Sequence, residues 1–109
     1  MPREETFKQN KLFYQDVLKV AEKHGITVLT ENFNKMFDEH YYWVDSAEDL
    51  LELIEYVNHP LLKACWDVGH GNLQELPQHE ALKILGDNVR ALHIQDNMGN
   101  DDHHTFPYT

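Results

Sequence analysis

Residues 65–72 read CWDVGHGN: an apolar run ends on Asp67, and His70 follows three residues later between two glycines. An aspartate or a histidine is costly to bury unless it is paired or bound to a metal. The same pattern recurs at two other apolar runs. ITVLTE (residues 26–31) finishes on Glu31, and VRALHIQD (residues 89–96) carries His93 and then Asp96. Two carboxylates and an imidazole form a mixed oxygen and nitrogen donor set, suited to a divalent cation such as Mn2+, Zn2+ or Mg2+. Each residue alone has a plainer explanation, Asp67 as a cap for the next turn and His93 as a hydrogen-bonded histidine in a half-buried strand. Three runs in succession that end alike favour one shared metal site of Glu31, Asp67 and His93.

A second cluster, Asp101, Asp102, His103 and His104, follows the third run. It is either a solvated charged loop or a further ligand pair, with Asp102 and His104 spaced to bind from one loop. Tyr41, Tyr42 and Trp43 form either an aromatic lid or one wall of a substrate pocket. Asn32 and Asn34 can hydrogen-bond a substrate hydroxyl, or they serve as turn residues. Cys65 lies inside an apolar run and reads as a small core residue rather than a nucleophile.

The elements that must position these residues follow from periodicity. Residues 7–24 carry Phe13, Val17, Val20 and Ala21, with Tyr14 and Leu18 beside them, at helical spacing, and Gly25 stands where a helix ends. Residues 26–31 are a strand and residues 32–45 a loop. Ser46 begins a second helix with Asp49 three residues on, and Leu50, Leu51, Ile54 and Val57 give its apolar face. Pro60 stops it. Residues 61–67 are the second strand, residues 79–85 a third helix ending at Gly86, and residues 89–96 the third strand. Strands that alternate with helices predict an α/β fold of parallel, right-handed βαβ units. In such folds the C-terminal strand ends form one rim, where ligands bind.

The chain has 109 residues and a formal net charge of -10. That balance argues against general nucleic-acid binding and disfavours anionic membranes, because both attractions rest on Lys and Arg. No apolar run approaches the roughly 18 residues of a membrane span, and the N-terminus lacks the apolar core of a signal peptide. One cysteine suits a reducing compartment, so a cytoplasmic location is expected.

Three ordered motifs, LTENF (residues 29–33), CWDVGHGN (residues 65–72) and LHIQDNMGNDDHHTFP (residues 92–107), resemble the xylose-isomerase-like TIM-barrel superfamily. This superfamily includes sugar phosphate isomerases and epimerases and endonuclease IV-like proteins. The resemblance covers almost the whole chain. It implies a partial (β/α)8 barrel, residues 1–109 forming one segment of about three βα units that match the fifth to seventh strands.

It further implies Glu31 as the first ligand of a divalent metal (Mn2+, Zn2+, Mg2+ or Co2+), Asp67 as the second and His93 as the third. Glu31 would double as an acid/base group. His70 resembles the histidine that contacts substrate in epimerases and binds a second metal in the endonuclease-like branch, whose Asp-x-His matches Asp102 and His104. The family's last glutamate, on the eighth strand, has no counterpart here. The implied reaction is proton transfer beside the carbonyl of a sugar or polyol, with Asn32, Trp43 and His70 on the substrate. The alternatives are a metal-dependent phosphodiesterase acting on abasic DNA, and a non-catalytic barrel fragment. The isolated chain is expected to lack turnover and to self-associate as a symmetric dimer.

Overall fold

The computed structural model describes residues 2–34, 44–99 and 103–107. Helix α1 spans Arg3–His24, starting four residues before the expected helix. Glu4 and Glu5 in its first turn and Lys23 and His24 in its last complement the helix dipole. Gly25 ends it in the left-handed conformation (φ 64°), its N–H turned back to the carbonyls of Ala21 and Glu22. The packed stripe runs through Phe7, Tyr14, Leu18 and Ala21. Phe13 and Val20, expected on that stripe, are instead 61% and 60% exposed. The apolar arc of α1 is wider than the surface it meets, so one side of it is left uncovered.

Helix α2 spans Ala47–Val57. Ser46 caps it as expected, its hydroxyl accepting from the Asp49 N–H at 3.1 Å. Its buried face is Ala47, Leu50, Leu53, Ile54 and Val57, with Leu51 only partly buried at the margin. Asn58 closes the helix with φ 55°.

Strands β1 (Val28–Glu31), β2 (Leu62–Asp67) and β3 (Val89–His93) form one parallel sheet in the order β1-β2-β3. Two short elements were not expected. A four-residue helix α3 (Val68–Gly71) follows β2 directly, and a 3-10 turn (Gly86–Asn88) separates α4 (Gln78–Leu85) from β3. The third strand also stops earlier than expected. It ends at His93, and Asp96 lies beyond it in an isolated antiparallel bridge with Thr105. That bridge exchanges two backbone hydrogen bonds of 2.7 and 2.8 Å and ties the tail to the rim.

Alternate strand residues (Val28, Leu62, Ala64, Trp66) pack on the helices, and Tyr14 of α1 donates to Thr30 at 2.8 Å. Leu18, Leu50, Leu53, Leu62, Trp66 and Leu85 are the largest fully buried side chains of this layer, with Asn32. By strand alternation Glu31, Cys65 and Asp67 belong to the opposite face, and His93 joins it as the partner of Asp67. Three parallel strands covered by helices on one side make an arc of a (β/α)8 barrel.

Candidate metal centre

Glu31, Asp67 and His93 are the last residues of their strands, so the parallel ladder delivers all three to one edge of the sheet. The third depends on an irregularity. Ala64 pairs with Val89 but Cys65 pairs with Ala91, so Arg90 is an extra residue in β3. Without that bulge Asp67 would lie beside Leu92, and His93 would point to the other face. With it, Asp67 lies beside His93.

Asp67 is 3% exposed and held on all sides. Its Oδ1 caps α3 by accepting from the His70 N–H at 2.9 Å. The Gln95 Nε2 donates to Oδ1 at 3.0 Å and to Oδ2 at 3.2 Å. The Asn32 side chain serves as one more rung of the ladder. Its Oδ1 accepts from the Asp67 N–H at 2.7 Å, and its Nδ2 donates to the Asp67 carbonyl at 3.2 Å. The backbone carbonyl of Asn32 is 2.7 Å from Nδ1 of His70. A carbonyl only accepts, so Nδ1 carries the proton and Nε2 of the neutral ring keeps its lone pair.

The donor set fits a divalent cation. Two donors bound at about 2.0–2.3 Å around one centre lie about 2.8–3.8 Å apart. Nδ1 of His93 is 2.9 Å from Glu31 Oε1 and 3.9 Å from Asp67 Oδ2. One ligand atom each from Glu31, Asp67 and His70 also lies within 4.8 Å of the others. Nδ1 of His70 is 3.7 Å from both carboxylates, but its proton is committed to Asn32. Nδ1 of His93 likewise shares a proton with Glu31, but a cation can displace that proton because Glu31 is itself a ligand, so His93 is the better third ligand and His70 can offer only Nε2. Mixed carboxylate and imidazole donors suit Mn2+, Zn2+ or Co2+, and Mg2+ less well because it prefers oxygen.

Electrostatics favour an ionised Asp67 and a His93 that holds its proton more firmly than a free imidazole. Burial alone would raise the pKa of Asp67, but the His70 N–H, the Gln95 amide and contacts with Glu31 and His70 outweigh it and hold the carboxyl below its ordinary value. The hydrogen bond and charge of Glu31 raise the pKa of His93. Burial, then Glu31 and Asp67, push the Cys65 thiol up, so this buried cysteine stays protonated and inert.

A family model described as the xylose isomerase-like TIM barrel matches residues 2–108. The chain belongs to this family. It is 30% identical over 91 residues to an uncharacterized protein of Methanocaldococcus jannaschii, covering 82% of this chain and 30% of the relative. Among solved structures, a D-tagatose 3-epimerase-like protein superposes with a TM-score of 0.74 at 27% identity, over 90% of this chain and 36% of that one. The 3-keto-D-glucoside 4-epimerase of E. coli superposes with a TM-score of 0.78 at 22% identity, over 89% and 36%, a likeness of fold. The chain thus spans about a third of the length of each.

Within this xylose isomerase-like barrel segment, the structure gathers Glu31, Asp67, His70 and His93 at one rim. His104 joins them, its ring 6.0 Å from that of His70, and Phe33 flanks His70 at 5.9 Å. The Asn32 amide is fully buried and bonded at both ends to the Asp67 backbone. Trp43 and Asp102, with Tyr41, Tyr42 and Asp101, lie outside the described residues. The sequence reading missed Gln95 and Asn97. Asn97 ties the rim together, donating to the Gly69 carbonyl at 2.7 Å and accepting from Asn72 at 2.8 Å. The available signal was spacing: Gln95 is two residues past His93, so a continued strand would turn it to the same face.

Proposed function

We propose that this segment supplies metal and substrate ligands to a divalent-metal-dependent sugar isomerase or epimerase, which moves a proton beside a carbonyl. The observation that carries the reading is the convergence of Glu31, Asp67 and His93 at adjacent strand ends of a xylose isomerase-like fold. The named activity of the neighbour at 27% identity, a D-tagatose 3-epimerase-like protein, supports a ketose or related polyol as substrate.

Glu31, Asp67 and His93 would hold the cation, which when bound supplies Lewis acidity toward carbonyl and hydroxyl oxygens. Asp67 stays ionised because its hydrogen bonds outweigh its burial, so it binds as an anion near neutral pH. Glu31 is the more open carboxylate, with 34% of its side chain exposed, and is the group to take up the proton from the carbon beside the carbonyl. His70 orients the sugar by accepting from a hydroxyl at Nε2. Ketose binding that depends on the cation tests this. The Mn2+ electron paramagnetic resonance signal of the loaded chain should change on adding D-tagatose. A signal unmoved by any ketose would overturn the sugar reading.

One observation favours a second reading, a metal-dependent phosphodiesterase acting on abasic DNA: His104 stands beside His70, where a further cation would need ligands. The net charge of -10 opposes it, because phosphate backbones are held by Lys and Arg. Nicking of an abasic duplex by the metal-loaded chain would favour this reading over the first.

The reading includes a cytoplasmic location, on the single buried thiol, and self-association as a symmetric dimer. Among the described residues β1 and β3 each pair on one side only, and Leu92, Ile94, Met98 and Phe106 are 48%, 67%, 87% and 83% exposed. Free strand edges and apolar patches of this kind invite pairing, and two-fold closure is the commonest solution. Light scattering at micromolar concentration should give twice the 12.9 kDa chain mass. A stable monomer would remove the dimer from the proposal.

A further inference from the structure

Asp67 has a partner that the proposed chemistry does not use. Gln95 lies in the loop after β3, and its Nε2 spans both carboxylate oxygens of Asp67. The orientation of this amide is fixed by chemistry. An ionised carboxylate only accepts, so turning the amide over would set Oε1 against two acceptors. This orientation leaves Gln95 Oε1 buried and, among the described residues, without a hydrogen-bond partner. A buried orphan acceptor is unfavourable, and the fold tolerates it while keeping the donor on Asp67.

A second and independent observation concerns Gly69. A Cβ built on Gly69 would overlap Cδ and Cγ of Gln95 and lie 2.6 Å from its Oε1. No positive φ demands glycine here, because the left-handed glycines are Gly25, Gly86 and Gly99. Space is the reason. The Gln95 side chain crosses the backbone of α3 where only a residue without a side chain lets it through.

We infer that Gln95 is a positioning residue for the metal-binding carboxylate, and that Gly69 is the opening that admits it. Oδ1 of Asp67 accepts from both His70 N–H and Gln95, so its lone pairs are used. Among the described residues Oδ2 accepts from Gln95 alone, at the longer distance, and has a lone pair left for a cation. Gln95 thus decides which oxygen faces Glu31 and His93. The inference rests on the proposed metal site for its functional consequence, while the pairing of Gln95, Gly69 and Asp67 stands on the geometry.

The test uses the 109-residue chain and has a metal-free and a metal-bound arm. In 1H–15N spectra without metal, the side-chain amide protons of Gln95 should be shifted downfield and protected from exchange. They should return to free-glutamine positions in Gly69→Ala. Free-glutamine positions in the native chain, or no change in Gly69→Ala, would overturn the pairing whether or not a metal binds. In the second arm, Mn2+ affinity should fall about tenfold or more in Gln95→Ala, as for other groups that orient metal ligands. Gly69→Ala should match it, and the double variant should lose no more than either single one. Val57→Ala, which cuts into the core at the end of α2 opposite the rim, should lower Tm and leave Mn2+ affinity within about twofold. Native affinity in Gln95→Ala overturns the positioning role, and losses that multiply in the double variant overturn the role of Gly69. A native chain that ignores Mn2+ instead sinks the metal reading, and the first arm still decides the pairing.

Discussion

Asp67→Ala is expected to weaken Mn2+ or Zn2+ binding by more than about a hundredfold, beyond the loss from disturbing a supporting group, and to destabilise the metal-free chain as well. Both effects come from one carboxylate. As a ligand it supplies the charge and the open lone pair of Oδ2. As a fold element it caps α3 and gives the Gln95 amide its acceptor. Alanine leaves the His70 N–H and the Gln95 Nε2 buried with no partner, and loss of a helix cap alone costs about 1 kcal/mol. Asp67→Asn separates the two roles. It keeps an oxygen for the cap but not the anion, so it should retain most of the stability and little of the metal affinity. The acid response carries the same signature. A carboxyl held below its ordinary pKa stabilises fully above its unfolded value and loses that contribution as pH falls through the lower folded one. Metal binding should fail along with it, since protonated Asp67 no longer ligates. Calorimetric titration of the three proteins settles the point. Equal affinity in the native chain and Asp67→Ala would move the cation elsewhere, to His103 and His104 in the first instance.

What made this site legible in the sequence was the conjunction of two simple rules. Parallel strands end at one rim, and Glu31, Asp67 and His93 close three apolar runs. The rules fail where geometry depends on a single inserted residue. The bulge at Arg90 places His93 beside Asp67, and nothing in VRALH announces it. Counting from the expected strand 89–96 also hid the turn after His93, so Asp96 was read as a strand end when it is a backbone bridge to Thr105. Helix α3 is four residues long, too short for any periodicity, and is set by the Asp67 cap. For Asn32 the sequence offers two uses, a hydrogen bond to a substrate hydroxyl or a turn. Its actual place, an amide that completes the β1-β2 ladder, can be seen only once the register puts Asp67 next to it. Exposure followed the same logic. The apolar stripe on α1 was read correctly as apolar, but sequence does not say how much of an arc will find a neighbour, and Phe13 and Val20 do not.

Trp66→Ala should produce the largest loss of stability, about 3–5 kcal/mol, enough to unfold much of a domain whose total stability is about 5–15 kcal/mol. Trp66 is 1% exposed and lies in the middle strand, facing the helices. Its Nε1 donates to Gln78 Oε1 at 2.8 Å, and Gln78 Nε2 donates onward to the Val68 carbonyl at 2.6 Å. The ring also sets the approach of α3. A Cβ on Gly71 would sit 2.7 Å from the ring and 2.6 Å from Gln78 Oε1, so the helix rests directly on the indole. Alanine would remove the ring, the donor and the support of α3 together. Trp66→Phe keeps most of the volume but orphans Gln78 Oε1, and should cost about 1–3 kcal/mol. Because α3 begins one residue after Asp67, the loss should reach the site. In urea titrations followed by circular dichroism, Trp66→Ala should show its midpoint far below the native value. Residual folded Trp66→Ala should also bind Mn2+ more weakly than Trp66→Phe. A Trp66→Ala midpoint within experimental error of the native one would mean that the core is carried by the α1 and α2 leucines alone, with the indole a passenger beneath the rim.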